Sequence, residues 1–301
     1  MNASVLDCSS RWPLLALVKV SLRLLKERPD IVVYSLWRSR CFYLLNRLVL
    51  PGMQHVLFFH SASSAHVLDA LSTRICLKIA GVIFVDSEAT KGYIKKHYGF
   101  SGKVWVVPPI VQASQVAASK QPKKMIYLGR VNKRKGFDNV IRFMRHVERI
   151  DNAFSLDVYG PVKMPANMEK LIVESGIGSK IRFCGSIPPE QTAEIVSKYQ
   201  YMVLLSPNEG MALAVLEGMG QGTVPLVYPA GEIASYCTDA YNSLTADGLD
   251  ETSLLQLARK LIGLDSCYDE WRIVSNNAVY STKEVQGMDK SLLKAISELS
   301  Y

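Results

Sequence analysis

The stretch SPNEGMALAVLEGMGQGTVPLV, residues 206–227, holds two glutamates, Glu209 and Glu217, in a segment that is otherwise mostly small and apolar. It follows directly on the apolar run YMVLL. Together they predict a strand, a turn at Gly210 and a buried helix that begins at about residue 212. The first N–H groups of that helix have no backbone partner and carry the positive end of its dipole, so they favour an anion.

Glu217 lies one turn inside the predicted helix, roughly 6–8 Å along its axis, which is about the distance between a phosphate and a ribose. A carboxylate can accept two hydrogen bonds from a diol. The stretch therefore predicts a phosphate-binding helix start with a carboxylate for sugar hydroxyls on each side. A turn residue at Glu209 and a solvated helix position at Glu217 explain the same pattern, and the pair alone favours this simpler interpretation.

A second stretch, YLGRVNKRKGFDNVIRFM at residues 127–144, places a basic loop between a predicted strand and a predicted helix. A basic loop at the carboxyl end of a strand suits a diphosphate, although lysine and arginine are also common in solvated turns. The basic residues of this loop are Arg130, Lys133, Arg134 and Lys135.

Short β-branched runs alternate with helical patterns along the chain, which is typical of parallel α/β layers. Strands are predicted at residues 30–35, 55–60, 81–87, 103–108, 125–129, 155–160, 181–185, 201–206 and 224–228. Helices are predicted at about 13–27, 39–48, 65–79, 88–98, 136–149, 166–175, 190–198 and 212–221, and again over about the last fifty residues.

The stretch PPIVQASQVAASKQPKK, residues 108–124, interrupts this alternation with prolines and small polar residues, so it predicts a linker. We therefore predict a short first domain at 1–112, a linker at 113–123 and a second domain with a helical tail at 124–301. Two parallel sheets predict a ligand beyond the carboxyl ends of their strands, in a crevice between the domains.

The net charge of +8 lies entirely in residues 1–112, which hold 14 Lys and Arg against 6 Asp and Glu. Residues 113–301 hold 21 of each sign. This asymmetry favours a phosphate-bearing partner or an anionic membrane surface. No aromatic-basic motif or zinc spacing is present, so we expect no nucleic acid and no metal centre. The six cysteines are scattered without a C-x-x-C pair, as in a reduced cytosolic protein.

Segments 11–28 and 38–50 both mix large apolar residues with lysine or arginine. A core helix with a solvated basic face explains one such segment, but two in the basic part of the chain favour peripheral binding to an anionic membrane. The first 25 residues faintly resemble a signal peptide, but Lys19 and Arg23 interrupt the apolar run. No apolar run reaches the ~18 residues that a membrane span needs. We expect a cytoplasmic protein, peripheral on the inner face of the membrane.

Together these stretches resemble the retaining glycosyltransferases of family 4, the glycosyl transferases group 1, over about residues 81–245. The resemblance implies the GT-B fold, with two Rossmann-like domains facing across a crevice. It assigns Arg130 and Lys135 to the donor diphosphate, Glu209 to the donor sugar and Glu217 to the ribose. The same motif, here EGMALAVLEGMGQGTVP, implies that the donor is also bound at Gly210, Met211, Ala212 and Leu213.

His60, in VLFFHSASS, ends a predicted strand of the first domain. The family often has a histidine there, near the sugar and phosphate of the donor, although a capped or solvated strand-end histidine explains it equally well. The chain departs from the family at its start, where we find no opening strand with a glycine-rich loop. The first domain is accordingly expected to be shortened.

The resemblance implies transfer of a hexose from a nucleotide-diphosphate sugar to a hydroxyl, with anomeric retention. No carboxylate nucleophile is evident, so attack on the same face is favoured over a covalent intermediate. No D-x-D is present, so we expect neither a metal nor another cofactor. The basic first domain favours a lipid-linked glycan acceptor, as in lipopolysaccharide or polysaccharide biosynthesis. A nucleotide-sugar epimerase or a phosphorylase on the same fold, or a non-catalytic GT-B subunit that binds a partner or a membrane, are the alternatives.

Overall fold

A computed structural model describes residues 13–35, 38–60, 67–109, 111, 113–114, 120–285 and 288–299. It divides into two compact units, the first formed by Met1–Pro108 with Gly287–Tyr301 and the second by Pro109–Gln286. The described strands, β1 to β10 in chain order, are Ile31–Ser35, Gln54–Phe59, Val82–Val85, Lys103–Val106, Gln121–Leu128, Ser155–Tyr159, Ile181–Gly185, Tyr199–Leu204, Val224–Val227 and Leu244–Thr245.

The described α-helices agree with the predicted pattern to within a few residues at each end. In chain order, α1 to α12 are Pro13–Glu27, Ser39–Val49, Val67–Ile79, Glu88–Tyr98, Phe137–Ile150, Ala166–Glu174, Pro189–Val196, Leu213–Gly220, Ile233–Tyr236, Glu251–Asp265, Tyr268–Val285 and Met288–Leu299. The short α9 and β10 were not predicted. They have four and two residues, too few for a periodic pattern.

The first unit is a four-stranded parallel sheet in the order β1-β2-β3-β4. Helices α1 to α4 form one layer, because their apolar residues pack into one core with the strand residues Tyr34, Leu57 and Ile83. The other face of the sheet is covered by α12, whose Ala295 is fully buried against Val56, Phe84 and Val107.

The second unit is a six-stranded parallel sheet in the order β10-β9-β8-β5-β6-β7. Strand β5 lies beside both β8 and β6, so the chain leaves β5 in one direction and later returns to its other side. In open α/β sheets this reversal is where ligands bind, beyond the carboxyl ends of the two neighbouring strands. The predicted α/β class, with two parallel sheets, is confirmed.

The unit boundaries differ from the predicted domains in two places. The helical tail predicted for the second domain ends in α12, which groups with the first unit because its apolar face buries against β4 and its neighbours. Residues 121–123 of the predicted linker belong to β5, and residues 115–119 lie outside the described residues. Residues 1–12 of the signal-like start also lie outside them, whereas its residues 13–25 belong to α1. Within the described ranges, every helix is too short or too polar to cross a membrane.

Candidate active site

Two loops of the second unit meet at the reversal of strand order. One follows β5 and carries the predicted basic residues, and the other follows β8 and carries Glu209. They are joined by Asn139, whose side-chain N–H donates to the carbonyl of Leu205 over 2.8 Å. Gly136 adopts a left-handed backbone with φ of 63°, and a Cβ there would lie 2.2 Å from the same Leu205 carbonyl oxygen. Only glycine allows this close approach.

The approach brings together two residues that are 74 positions apart in the chain. The Lys135 Nζ donates to both carboxylate oxygens of Glu209, over 2.9 and 2.8 Å. Glu209 is only 6% exposed, so its charge is balanced mainly by this lysine. The turn before Lys135 is shaped by Asn132, whose side-chain oxygen accepts the backbone N–H of Lys135 over 2.9 Å. The Lys135 side chain is still 28% exposed, so its ammonium group can also bind a second anion.

Helix α8 begins at Leu213, as predicted, and no side chain caps it. Its first N–H groups therefore lack a capping partner and suit an anion. The N-cap residue Ala212 has φ of 52° and ψ of 60°, a left-handed conformation that costs a non-glycine residue roughly 1–2 kcal/mol. Such strain persists only where surrounding contacts determine the conformation.

Those contacts come from the segment that follows β9. The buried Tyr236 donates its hydroxyl to the carbonyl of Met211 over 2.7 Å. The backbone N–H of Glu232 donates to the carbonyl of Gly210 over 3.0 Å. The backbone of Gly231 packs against the same loop, and a Cβ on Gly231 would lie 2.1 Å from the Glu209 carbonyl oxygen. Three successive residues of this loop, Glu209, Gly210 and Met211, therefore contact the segment that follows β9.

Glu217 lies four residues into α8, partly buried, and burial raises its pKa above the ordinary glutamate value of 4.5. Among the described residues, no ion pair involves Glu217.

Arg130 is exposed on the loop after β5, and its backbone carbonyl accepts a hydrogen bond from the hydroxyl of Tyr127 over 3.0 Å. Its exposed side chain is therefore available to an anionic ligand.

His60 belongs to the first unit, where it follows β2 at the carboxyl edge of the sheet. Its Nε2 lies 2.7 Å from the Ser35 hydroxyl, and its ring packs on Phe58 with 4.1 Å between centroids. Desolvation of the ring lowers the pKa of His60, while the charge of the nearby Asp86 opposes that shift. The histidine is therefore neutral near pH 7. Its predicted role beside the donor stays a prediction.

The structure thus brings together Lys135, Glu209 and the start of α8. Arg130 lies on the loop after β5, and Glu217 lies within α8. Sequence reasoning missed the supporting residues Asn139 and Tyr236. Neither has a local signal, because each acts through a backbone carbonyl that is distant in sequence. Within the described ranges, no group of three or more His, Cys, Asp and Glu could hold a metal ion.

Solved structures of similar fold cover nearly the whole chain. A TarM variant from S. aureus, in complex with fondaparinux, alpha-GlcNAc-glycerol and UDP, matches with a TM-score of 0.78 and 15% identity. That match covers 95% of this chain and 59% of TarM. Anabaena Alr3699/HepE, in complex with UDP and glucose, matches with a TM-score of 0.75 and 12% identity, over 98% of this chain and 83% of HepE. The fold is GT-B, as predicted.

Two family models match the sequence. The model for glycosyl transferases group 1 covers residues 111–275, and that for Glycosyltransferase Family 4 covers residues 4–115. The first match spans more than half of the 301 residues. The chain therefore belongs to the glycosyl transferases group 1 family, which confirms the predicted resemblance.

Individual curated relatives are distant. GDP-mannose:cellobiosyl-diphosphopolyprenol alpha-mannosyltransferase of Xanthomonas oryzae pv. oryzae is 26% identical over 112 residues, 36% of this chain and 30% of that protein. D-inositol 3-phosphate glycosyltransferase of Corynebacterium efficiens is 25% identical over 134 residues, 42% of this chain and 32% of that protein. These matches span about a third of the length of the relatives.

Proposed function

We propose that the chain is a retaining glycosyltransferase that moves a hexose from a nucleotide-diphosphate sugar to a hydroxyl of a glycan. The observation that carries this proposal is the Lys135–Glu209 ion pair beside the uncapped start of α8, at the reversal of strand order. The pair offers a cation for a diphosphate and a carboxylate for sugar hydroxyls within one site. Family membership and the fold support the same assignment.

Each residue has a distinct part in the proposed reaction. The bond between the anomeric carbon and the diphosphate oxygen breaks, and negative charge grows on the leaving diphosphate. Arg130, Lys135 and the first N–H groups of α8 stabilise that charge, because fixed donors act strongly where water is excluded. The acceptor oxygen bonds to the same carbon from the same face, and its proton passes to the departing phosphate oxygen. Glu209 holds the donor sugar and Glu217 the ribose diol.

The proposed acceptor is a lipid-linked glycan at the cytoplasmic face of a membrane. The basic first unit supports an anionic partner, and the mannosyltransferase relative carries a diphosphopolyprenol acceptor in its name. The described cysteines are all unpaired, in keeping with a reducing compartment. The site charges take the place of a divalent cation in this proposal, so turnover should persist with excess chelator.

The test is a donor screen on the purified chain. UDP-, GDP- and ADP-sugars are compared by thermal shift and titration, and the best donor is then assayed with lipid-linked and soluble glycans. One nucleotide class should stabilise the chain, and sugar transfer should follow with retained anomeric configuration by NMR. Donor binding without transfer or hydrolysis would support a non-catalytic subunit, and conversion of the donor to its epimer would support an epimerase.

A further inference from the structure

Helix α3 exposes an apolar row along its whole length. Leu68, Leu71, Ile75 and Ile79 follow a 3-4-4 spacing, which places them on one face of the helix. They are 66%, 53%, 46% and 43% exposed. Large apolar side chains are individually common at surfaces, but a continuous row of four usually marks an interaction site.

Helix α1 carries a similar row. Val18, Leu22 and Leu25 follow a 4-3 spacing and are 55%, 59% and 44% exposed. The inner residues of α1, Leu17 and Val20, pack into the same core as the inner residues of α3. Both exposed rows therefore lie on the outer surface of one helical layer. We call these seven residues the outer apolar face, formed by Val18, Leu22, Leu25, Leu68, Leu71, Ile75 and Ile79.

The charges around the outer apolar face are basic. Arg74 and Lys78 flank the row on α3, and Lys19 and Lys26 flank the row on α1, all exposed. The acidic residue of α3, Asp69, is buried in an ion pair with Arg40.

Glu27, the acidic residue of α1, pairs with Arg23. The ion pairs of the described residues do not include Lys19, Lys26, Arg74 or Lys78, so this surface combines exposed hydrocarbon with positive charge.

We propose that the outer apolar face docks on the interface of an anionic lipid bilayer. A bilayer satisfies both features at once, because the apolar rows enter the acyl boundary while the basic residues meet anionic headgroups. A second copy of this chain would oppose like charges across the contact. This inference rests on the proposed function, since it identifies the surface at which a lipid-linked acceptor would be met.

The proposed face keeps one of the two segments that the sequence favoured, 11–28 in α1, and has α3 in place of the other, 38–50. Helix α2, within the predicted segment 38–50, buries Phe42 and Tyr43 in the core and exposes Leu48 and Val49 only at its end. Helix α3 was not singled out, because Cys76 and Leu77 on its inner face make it apolar on both sides.

The experiment is vesicle flotation with the full chain. Vesicles of phosphatidylcholine mixed with anionic phosphatidylglycerol are compared with vesicles of pure phosphatidylcholine at low and high salt. The chain should float with the anionic vesicles at low salt and much less with neutral vesicles or at high salt. Equal binding to both vesicle types, or no binding to either, would overturn the proposal.

Variants locate the contact. The double variant Leu71→Ser with Ile75→Ser should lower binding to anionic vesicles at least tenfold, and Arg74→Ala with Lys78→Ala should lower it several-fold at low salt. The matched control is Ile273→Ser, which changes a 60% exposed residue on α11 of the other unit and should bind as the parent chain does. Binding that the α3 variants leave unchanged, or a solution dimer that the Leu71→Ser and Ile75→Ser pair dissolves, would overturn the proposal.

Nucleotide titration on the same preparations separates this inference from the proposed function. The α3 variants should keep the parent melting temperature and nucleotide affinity, since the substituted side chains are exposed and belong to the other unit. Vesicle binding without nucleotide binding would contradict the proposed function alone. Nucleotide binding without vesicle binding would contradict the outer apolar face alone.

Discussion

The two units of the chain differ in the feature that each contributes to the proposed function. In the second unit the buried core runs continuously from β5 to α11, and the buried charge of Glu209 has a partner. In the first unit a smaller core leaves the outer apolar face in water. In our proposals, the second unit supplies the donor site and the first unit supplies the surface that meets the membrane. Substitutions should therefore separate donor chemistry from vesicle binding.

The largest expected effect comes from Lys135→Ala in the second unit. It removes the cation of a buried carboxylate and one charge from the diphosphate site, so kcat/KM should fall about 100- to 1000-fold, or about 3–4 kcal/mol. Steady-state kinetics with the best donor measure this, and flotation should be unchanged. The matched control is Lys133→Ala, an exposed lysine of the same turn. Equal losses in the two variants would mean that the turn acts only through its total charge.

The next effect is expected from Arg130→Ala. Loss of one charged contact to a phosphate should weaken nucleoside diphosphate binding by about 2–3 kcal/mol, because charge-assisted hydrogen bonds are the strong ones. Calorimetric titration measures the affinity, and Lys170→Ala, at an exposed ion pair on α6, serves as the control. An unchanged affinity would show that the loop after β5 does not bind the donor, and would contradict the assignment of the donor site to the second unit.

The sequence predicted this site only in part. Apolar runs locate the strands, because buried parallel strands are apolar on both faces. The pairing of Lys135 with Glu209 depends on the strand order, which places β5 beside β8 and which no local pattern encodes. The left-handed backbone conformation of Ala212 could not be predicted either, because alanine normally favours a helix. The exposed row of α3 was missed because apolar residues on both faces remove the amphipathic signal.

A smaller effect is expected from pH, through Glu217. Burial raises the pKa of this carboxyl above 4.5, and the ionised form is the one that accepts ribose hydroxyls. Donor affinity should therefore be full above the raised pKa and fall as the pH drops through it, by up to about tenfold per pH unit. An intact nucleotide sugar is the right ligand, because its diphosphate takes up no proton in this range.

Two comparisons sharpen the pH test. Glu217→Gln should bind less tightly at pH 7 and lose the pH dependence that the parent shows. The same raised pKa makes the free chain more stable as the pH falls through this window, because the folded state then binds more protons than the unfolded state. A loss of affinity there is therefore not unfolding caused by Glu217. Parallel profiles for the parent and the variant would exclude Glu217 as the titrating group.

The smallest expected effect comes from the hydrogen bond between Tyr236 and the loop that carries Glu209. Tyr236→Phe removes the hydroxyl that donates a hydrogen bond to the Met211 carbonyl. The free energy of unfolding and the free energy of donor binding should each weaken by about 1 kcal/mol. The affinity falls because Ala212 and the first turn of α8 are no longer held in place. Adding Ala212→Gly relieves the left-handed strain and should restore part of the stability. The control is Tyr201→Phe, which removes a hydroxyl bonded to Asp265 over 3.0 Å in the same core. It should lower stability without lowering affinity, and an equal loss of affinity would show that the donor site responds to the stability of the whole unit.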